Sequence, residues 1–139
     1  MVWILVLLTS LVGCNFSDAV QHDIDKYTQV AAEKEGLEAS QAMARLVQIG
    51  RRSIPTIELA LQQAPPTGKR NLVVVLRRIG EVDVVSLLQH LAIHDSDPIV
   101  RSEARNTLEA WAKGPGDRGD KARAALRKID EMADRQETG

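Results

Sequence analysis

The sequence predicts an all-α fold, a short α-solenoid of helical hairpins with flanking capping helices. Three observations carry this. Apolar residues recur in steps of three and four, which places them on one face of a helix. No stretch shows the sustained period-two alternation of a half-buried strand. Helix-ending glycines and prolines fall at Gly36, Gly50, Pro65-Pro66, Gly80 and Gly114-Pro115-Gly116, cutting the chain into helix-sized pieces.

The elements follow in order. Ser17-Asp18 is placed to cap a first helix carrying Val20, Ile24, Tyr27 and Ala31, which Gly36 ends. A second helix carries Ala39, Ala42, Met43, Leu46 and Ile49 and stops at Gly50. Ser53 precedes Ile54-Pro55, with proline in the first turn, where its missing N–H costs little. That third helix is expected to bury Ile54, Ile57, Leu59 and Leu61 before Pro65-Pro66 halts it. Thr67 is placed to cap the helix ending at Ile79-Gly80, and Asp83 the one running to His94. Asp97-Pro98 joins a cap to a first-turn proline and opens a helix reaching Trp111. After Gly114-Pro115-Gly116 a last helix runs from Asp117 or Asp120 to Asp134.

Composition narrows the function. The 139 residues are 44% hydrophobic and 27% charged, too apolar for disorder and the size of one small domain. With 18 basic and 19 acidic side chains, net charge gives no general reason to bind nucleic acid or an anionic membrane. Aromatic residues at 3% argue against base-stacking platforms, and a single cysteine excludes an intrachain disulfide framework.

That cysteine is informative by position. Met1 to Gly13 contains no charged side chain and ends in Leu11-Val12-Gly13-Cys14. As a helix it would reach about 20 Å, short of the ~30 Å hydrocarbon core, so it fits the apolar core of a secretory signal better than a membrane span. Leu11-Val12-Gly13-Cys14 resembles the lipobox of bacterial lipoproteins. The resemblance implies cleavage before Cys14, a diacylglycerol on its sulfur and an acyl chain such as palmitate on its amine. It also implies a protein anchored by lipid in the cell envelope. Asn15, rather than aspartate, leans toward the outer membrane or periplasmic face in a Gram-negative cell. The chain departs from the signal-peptide pattern in starting Met1-Val2-Trp3, without a basic residue.

The expected organisation is a signal peptide at 1–13, a lipidated tether at 14–17 and a capping helix at 18–36. Repeats follow at 37–112, then a Gly/Pro linker with a C-terminal capping helix at 113–139. Leu46-Val47-Gln48-Ile49-Gly50 recurs thirty residues later as Leu76-Arg77-Arg78-Ile79-Gly80, and Ile54, Ile57 and Leu61 then align with Val84, Leu87 and Leu91. At an offset of 32, Leu72, Leu76 and Ile79 align with Ala104, Leu108 and Trp111. A hairpin cannot bury its apolar face alone, so such units stack. Ile79-Gly80, Val84, Leu87, Leu91 and Asp95-Ser96-Asp97-Pro98-Ile99-Val100-Arg101 together resemble HEAT repeats of the short type named after phycobilisome lyases. The resemblance implies a curved array that binds another protein. Its alternative is an accessory or lyase-like enzyme component, as some members of that family are.

No residues point to catalysis. There is no Gly-x-Ser-x-Gly or Walker-type phosphate loop, and Cys14 is assigned to lipid. His90 and His94 stand at i, i+4 with Asp95 following, but no third ligand is placed by sequence. Asp95 and Asp97 read as turn and cap, because Pro98 and Ile99 fall where a calcium loop needs ligands. Arg101 resembles the family's structural arginine, and Arg118-Gly119-Asp120 lies in a Gly/Pro-rich turn. The expectation is therefore no enzyme activity, cofactor, metal, nucleic acid or small-molecule substrate, and a protein partner. The candidate partner surface is Arg70, Asn71, Val74 and Arg78, which a 100° projection places opposite Leu72, Leu76 and Ile79.

Overall fold

The computed structural model describes residues 10–139, with side chains from residue 16 onward. The lipobox-like run and Cys14, the expected lipid site, therefore lie outside the described side chains. Every described element is helical: α1 (Ser10–Glu33), α2 (Gly36–Ile49), α3 (Ile54–Leu61), α4 (Pro66–Ile79), α5 (Val85–His94), α6 (Pro98–Ala112) and α7 (Gly116–Glu137). Short 3-10 turns at Gly50–Ser53 and Val82–Val84 lead into α3 and α5. Among the described residues no helix is long and apolar enough to cross a membrane.

Among helices adjacent in sequence, α1 packs on α2, α3 on α4, α5 on α6 and α6 on α7, and α2, α4 and α6 lie side by side in that order. α1 rests on α2, α3 and α4, while α7 closes the other end against α5 and α6. α4 is thus the middle of the domain. Gly68, Leu72, Val73, Val75 and Leu76 are all buried along it, a wider arc than the Leu72–Leu76–Ile79 stripe read from sequence. Val73 and Val75 are buried because α4 has neighbours on more than one side. The core continues through Leu46 of α2, Ala104, Leu108 and Trp111 of α6, and Ala122, Ala125 and Ile129 of α7.

Two residues of α4 let α1 and α4 approach closely. A Cβ on Gly68 would overlap the Ala32 carbonyl, so only glycine fits there. One turn further on, Asn71 Nδ2 donates to the Ala31 carbonyl at 3.0 Å, satisfying one of the last-turn oxygens that α1 cannot pair internally.

The helix-start signals divide. Asp97 caps α6 as expected, its Oδ1 accepting from the Ile99 amide at 2.8 Å and the Val100 amide at 3.2 Å. Three other expected caps are not made. α1 runs unbroken through Ser17-Asp18, because nothing there interrupts its backbone ladder. α4 begins at Pro66, one residue before Thr67, because its flanking residue Pro65 is already extended. Asp83 sits in a 3-10 turn and pairs with Arg51 instead. Ser53 is buried and donates to the Leu46 carbonyl at 3.2 Å, joining the α3 entry to α2. Leu59, expected in the core, is 66% exposed, and Leu88 rather than Leu87 is the fully buried leucine of α5. Leu59 lies about 200° around α3 from the buried Ile57, and Leu87 lies about 100° around α5 from Leu88, at the edge of the buried arc.

Candidate docking surface

The loop between α5 and α6 carries a closely held carboxylate. The Asp95 carboxylate is 3% exposed and accepts from Lys69 Nζ of α4 at 2.8 Å and from the Asp97 amide at 2.9 Å. Burial pushes this carboxyl up, but Lys69, the Asp97 amide and the charge of Arg101 together outweigh it and hold it below the usual aspartate range. Arg101 donates to the Asp95 carbonyl at 2.7 Å and the Ser96 carbonyl at 3.2 Å, the structural role its position implied. These contacts lock the turn to α4 and leave Asp95 committed.

His90 and His94 stand with ring centroids 4.8 Å apart and planes tilted by 46°. With Glu58 they rim a groove of about 630 Å³ between α3 and α5, floored by Leu61, Leu87 and Leu91. Among the described residues no three His, Cys, Asp or Glu side chains converge as a metal site.

The Arg118-Gly119-Asp120 tripeptide is absorbed by packing. Arg118 donates to the Gly80 carbonyl at 2.9 Å and lies 5.1 Å from the Trp111 ring centroid, tying α7 to the ends of α4 and α6. Gly119 is buried where a Cβ would overlap the Gly114 carbonyl, and Asp120 pairs with Arg123. Arg123 in turn donates to the carbonyls of Ala112, at 2.5 Å, and Gly114, at 3.2 Å, closing the end of α6.

The candidate surface on α4 separates into two kinds of residue. Arg70 and Arg78 are exposed and Val74 is half-buried between them, as projection implied. Asn71 belongs elsewhere, because its amide is spent on the Ala31 carbonyl. The exposed face instead includes Arg77, which sequence reasoning passed over. Seven residues beyond Arg70, it returns to within about 20° of the same direction at 100° per residue, so the signal was present in the periodicity. Among the described residues, none of Arg70, Arg77 and Arg78 forms an ion pair, whereas Arg51, Lys69, Arg105, Lys121 and Arg123 all do.

A small cleft of about 80 Å³ adjoins this stripe where α4 and α6 begin, lined by Pro66, Thr67, Arg70, Asp97 and Ile99. Ile99 is 58% exposed there. No sequence signal could have found this cleft, since it exists only where two helix N-termini meet.

Comparison with known proteins adds no relative: no family model matches the chain, and neither a curated protein nor a solved structure matches it.

Proposed function

We propose that this chain is a lipid-anchored bacterial envelope protein whose helical domain is a non-catalytic protein-interaction module, built as a short HEAT-like solenoid. The observation that carries the reading is the placement of Cys14. It is the sole cysteine, and it closes the uncharged run Met1–Gly13 in the lipobox-like Leu11-Val12-Gly13-Cys14. Every charged side chain lies after it.

Two further features support the solenoid part. The repeat offsets bring Leu46, Leu76 and Leu108 into register, and likewise Ala42, Leu72 and Ala104, and all six are buried. Their helices α2, α4 and α6 are the ones that lie side by side. Stacked hairpins of this kind expose long helix faces on a rigid frame, which suits docking better than chemistry. The Asp95–Arg101 turn and the α4 stripe supply, respectively, the frame and a surface.

The test is direct. Expressed in a bacterium fed a labelled fatty acid, the wild-type chain should take up label and lose residues 1–13, while Cys14→Ser should do neither. Mature wild-type protein that retains Met1 and carries no acyl chain would refute the anchor. Crosslinking of the tagged chain in its native cell, followed by identification of attached proteins, tests the interaction part.

A further inference from the structure

We infer that the α4 stripe, with the Ile99 cleft at its end, is a docking site for an acidic amphipathic helix of a partner protein. The inference rests on the interaction-module reading and names the surface and the chemistry of what binds it.

Charge is the first ground. Arg70, Arg77 and Arg78 are exposed, and among the described residues none has an ionic partner. Arg77 and Arg78 lie in the last turn of α4, where the helix dipole favours cations. Arg70 has no such local reason to be basic. Of the corresponding exposed positions on the flanking helices, Ser40, Ala44 and Gln48 on α2 and Ser102 and Asn106 on α6 are neutral, and Glu109 of α6, aligned with Arg77, is acidic and paired with Arg105. Glu81 pairs with Arg51 at 3.6 Å and Glu109 with Arg105 at 2.9 Å, while Asp97, which shares the small cleft with Arg70, accepts from the amides that it caps. Among the described residues the three arginines thus make this face cationic without an ion pair of their own, with the Asp97 carboxylate beside Arg70 at one end.

Shape is the second. Arg70 and Arg77 are separated along the axis by about 10 Å, two turns of helix. Carboxylates seven residues apart on a partner helix have the same spacing and the same side. Between the two arginines Val74 is half-buried, leaving a low apolar floor. At one end Ile99 and Pro66 border the small cleft beside Arg70, sized for a single aliphatic group. A polyphosphate chain would satisfy the arginines but has nothing to place against Ile99 and Val74. An acidic helix with an aliphatic residue at one end satisfies both.

The experiment uses the full chain in detergent and a fluorescent synthetic helix of Glu, Ala and Leu, with glutamates on a seven-residue spacing and a terminal leucine. Anisotropy titrations compare it with a scrambled peptide of the same composition, with single-stranded DNA and with phosphatidylglycerol vesicles. The patterned peptide should bind saturably and more tightly than the scrambled one. Substituting Arg70→Gln with Arg77→Gln should weaken binding by about tenfold, and Ile99→Ser by several-fold. Helical circular dichroism should be unchanged in both variants. Absent saturable binding, equal binding of the scrambled peptide, tighter binding of DNA or vesicles, or variants that bind like wild type would each overturn the inference. The mass of the purified chain reports acylation separately, so an unlipidated chain that still binds the peptide refutes the anchor alone. A partner crosslinked at a different face, with no peptide binding, refutes this site alone.

Discussion

Replacing Lys69 by methionine removes one charge and keeps most of the side chain's length, which isolates what the ammonium does for Asp95. In the folded protein Lys69 is 18% exposed and its partner carboxylate 3%. A hydrogen bond to a charged group contributes about 1.5–3 kcal/mol net. Stranding a fully buried charge costs about 3–5 kcal/mol. Asp95 keeps the Asp97 amide, so the expected loss is about 2–4 kcal/mol at about pH 7. The pH dependence separates this cause from a packing defect. Asp95 in the wild type titrates below its unfolded value of about 3.9, so its stabilisation is complete above that value and is lost as pH falls through the lower, folded one. In Lys69→Met the burial that opposes ionisation loses its main counterweight, and the folded carboxyl takes up its proton at higher pH. The stability gap between the two proteins should be widest near neutrality and should shrink toward about pH 3. Denaturant titrations at both pH values, followed by circular dichroism, measure it. A gap that is the same at both values, or absent at neutrality, would refute the reasoning.

Two further substitutions probe the packing. Leu76→Ala removes a fully buried side chain from the middle helix and should cost about 2–5 kcal/mol in denaturant titrations, with hydrogen-exchange protection falling in α2 and α6 as well as α4. Gly68→Ala should destabilise, measured as a lower melting temperature, by about 1–3 kcal/mol although alanine is the better helix former, because its Cβ would overlap the Ala32 backbone.

Much of the helical layout was legible in advance. Gly50 and Gly80 end α2 and α4, Asp97-Pro98 opens α6, and Gly114-Pro115-Gly116 separates α6 from α7, all by local chemistry that needs no tertiary information. The misplaced starts have a common origin. Thr67 and Asp83 were suitable capping residues, but the preceding Pro65 and the 3-10 turn at Val82–Val84 had already set the chain's entry into the helix. A side chain that can cap does so only where the backbone puts it beside free amides.

On the candidate surface, Arg70, Val74 and Arg78 were found by helical period, and Arg77 could have been. Asn71 could not have been reassigned, since the Ala31 carbonyl that it binds is forty residues away in sequence. The same is true of the buried Val73 and Val75, the Asp95–Lys69 bond and the cleft at Ile99. Sequence alone determined the all-helical class, most helix ends and the lipobox-like cysteine, because each depends on residues within a turn or two of one another. Which side chains are free for a partner was decided only by the tertiary structure, because a polar group is free or spent according to what distant parts of the chain bring against it.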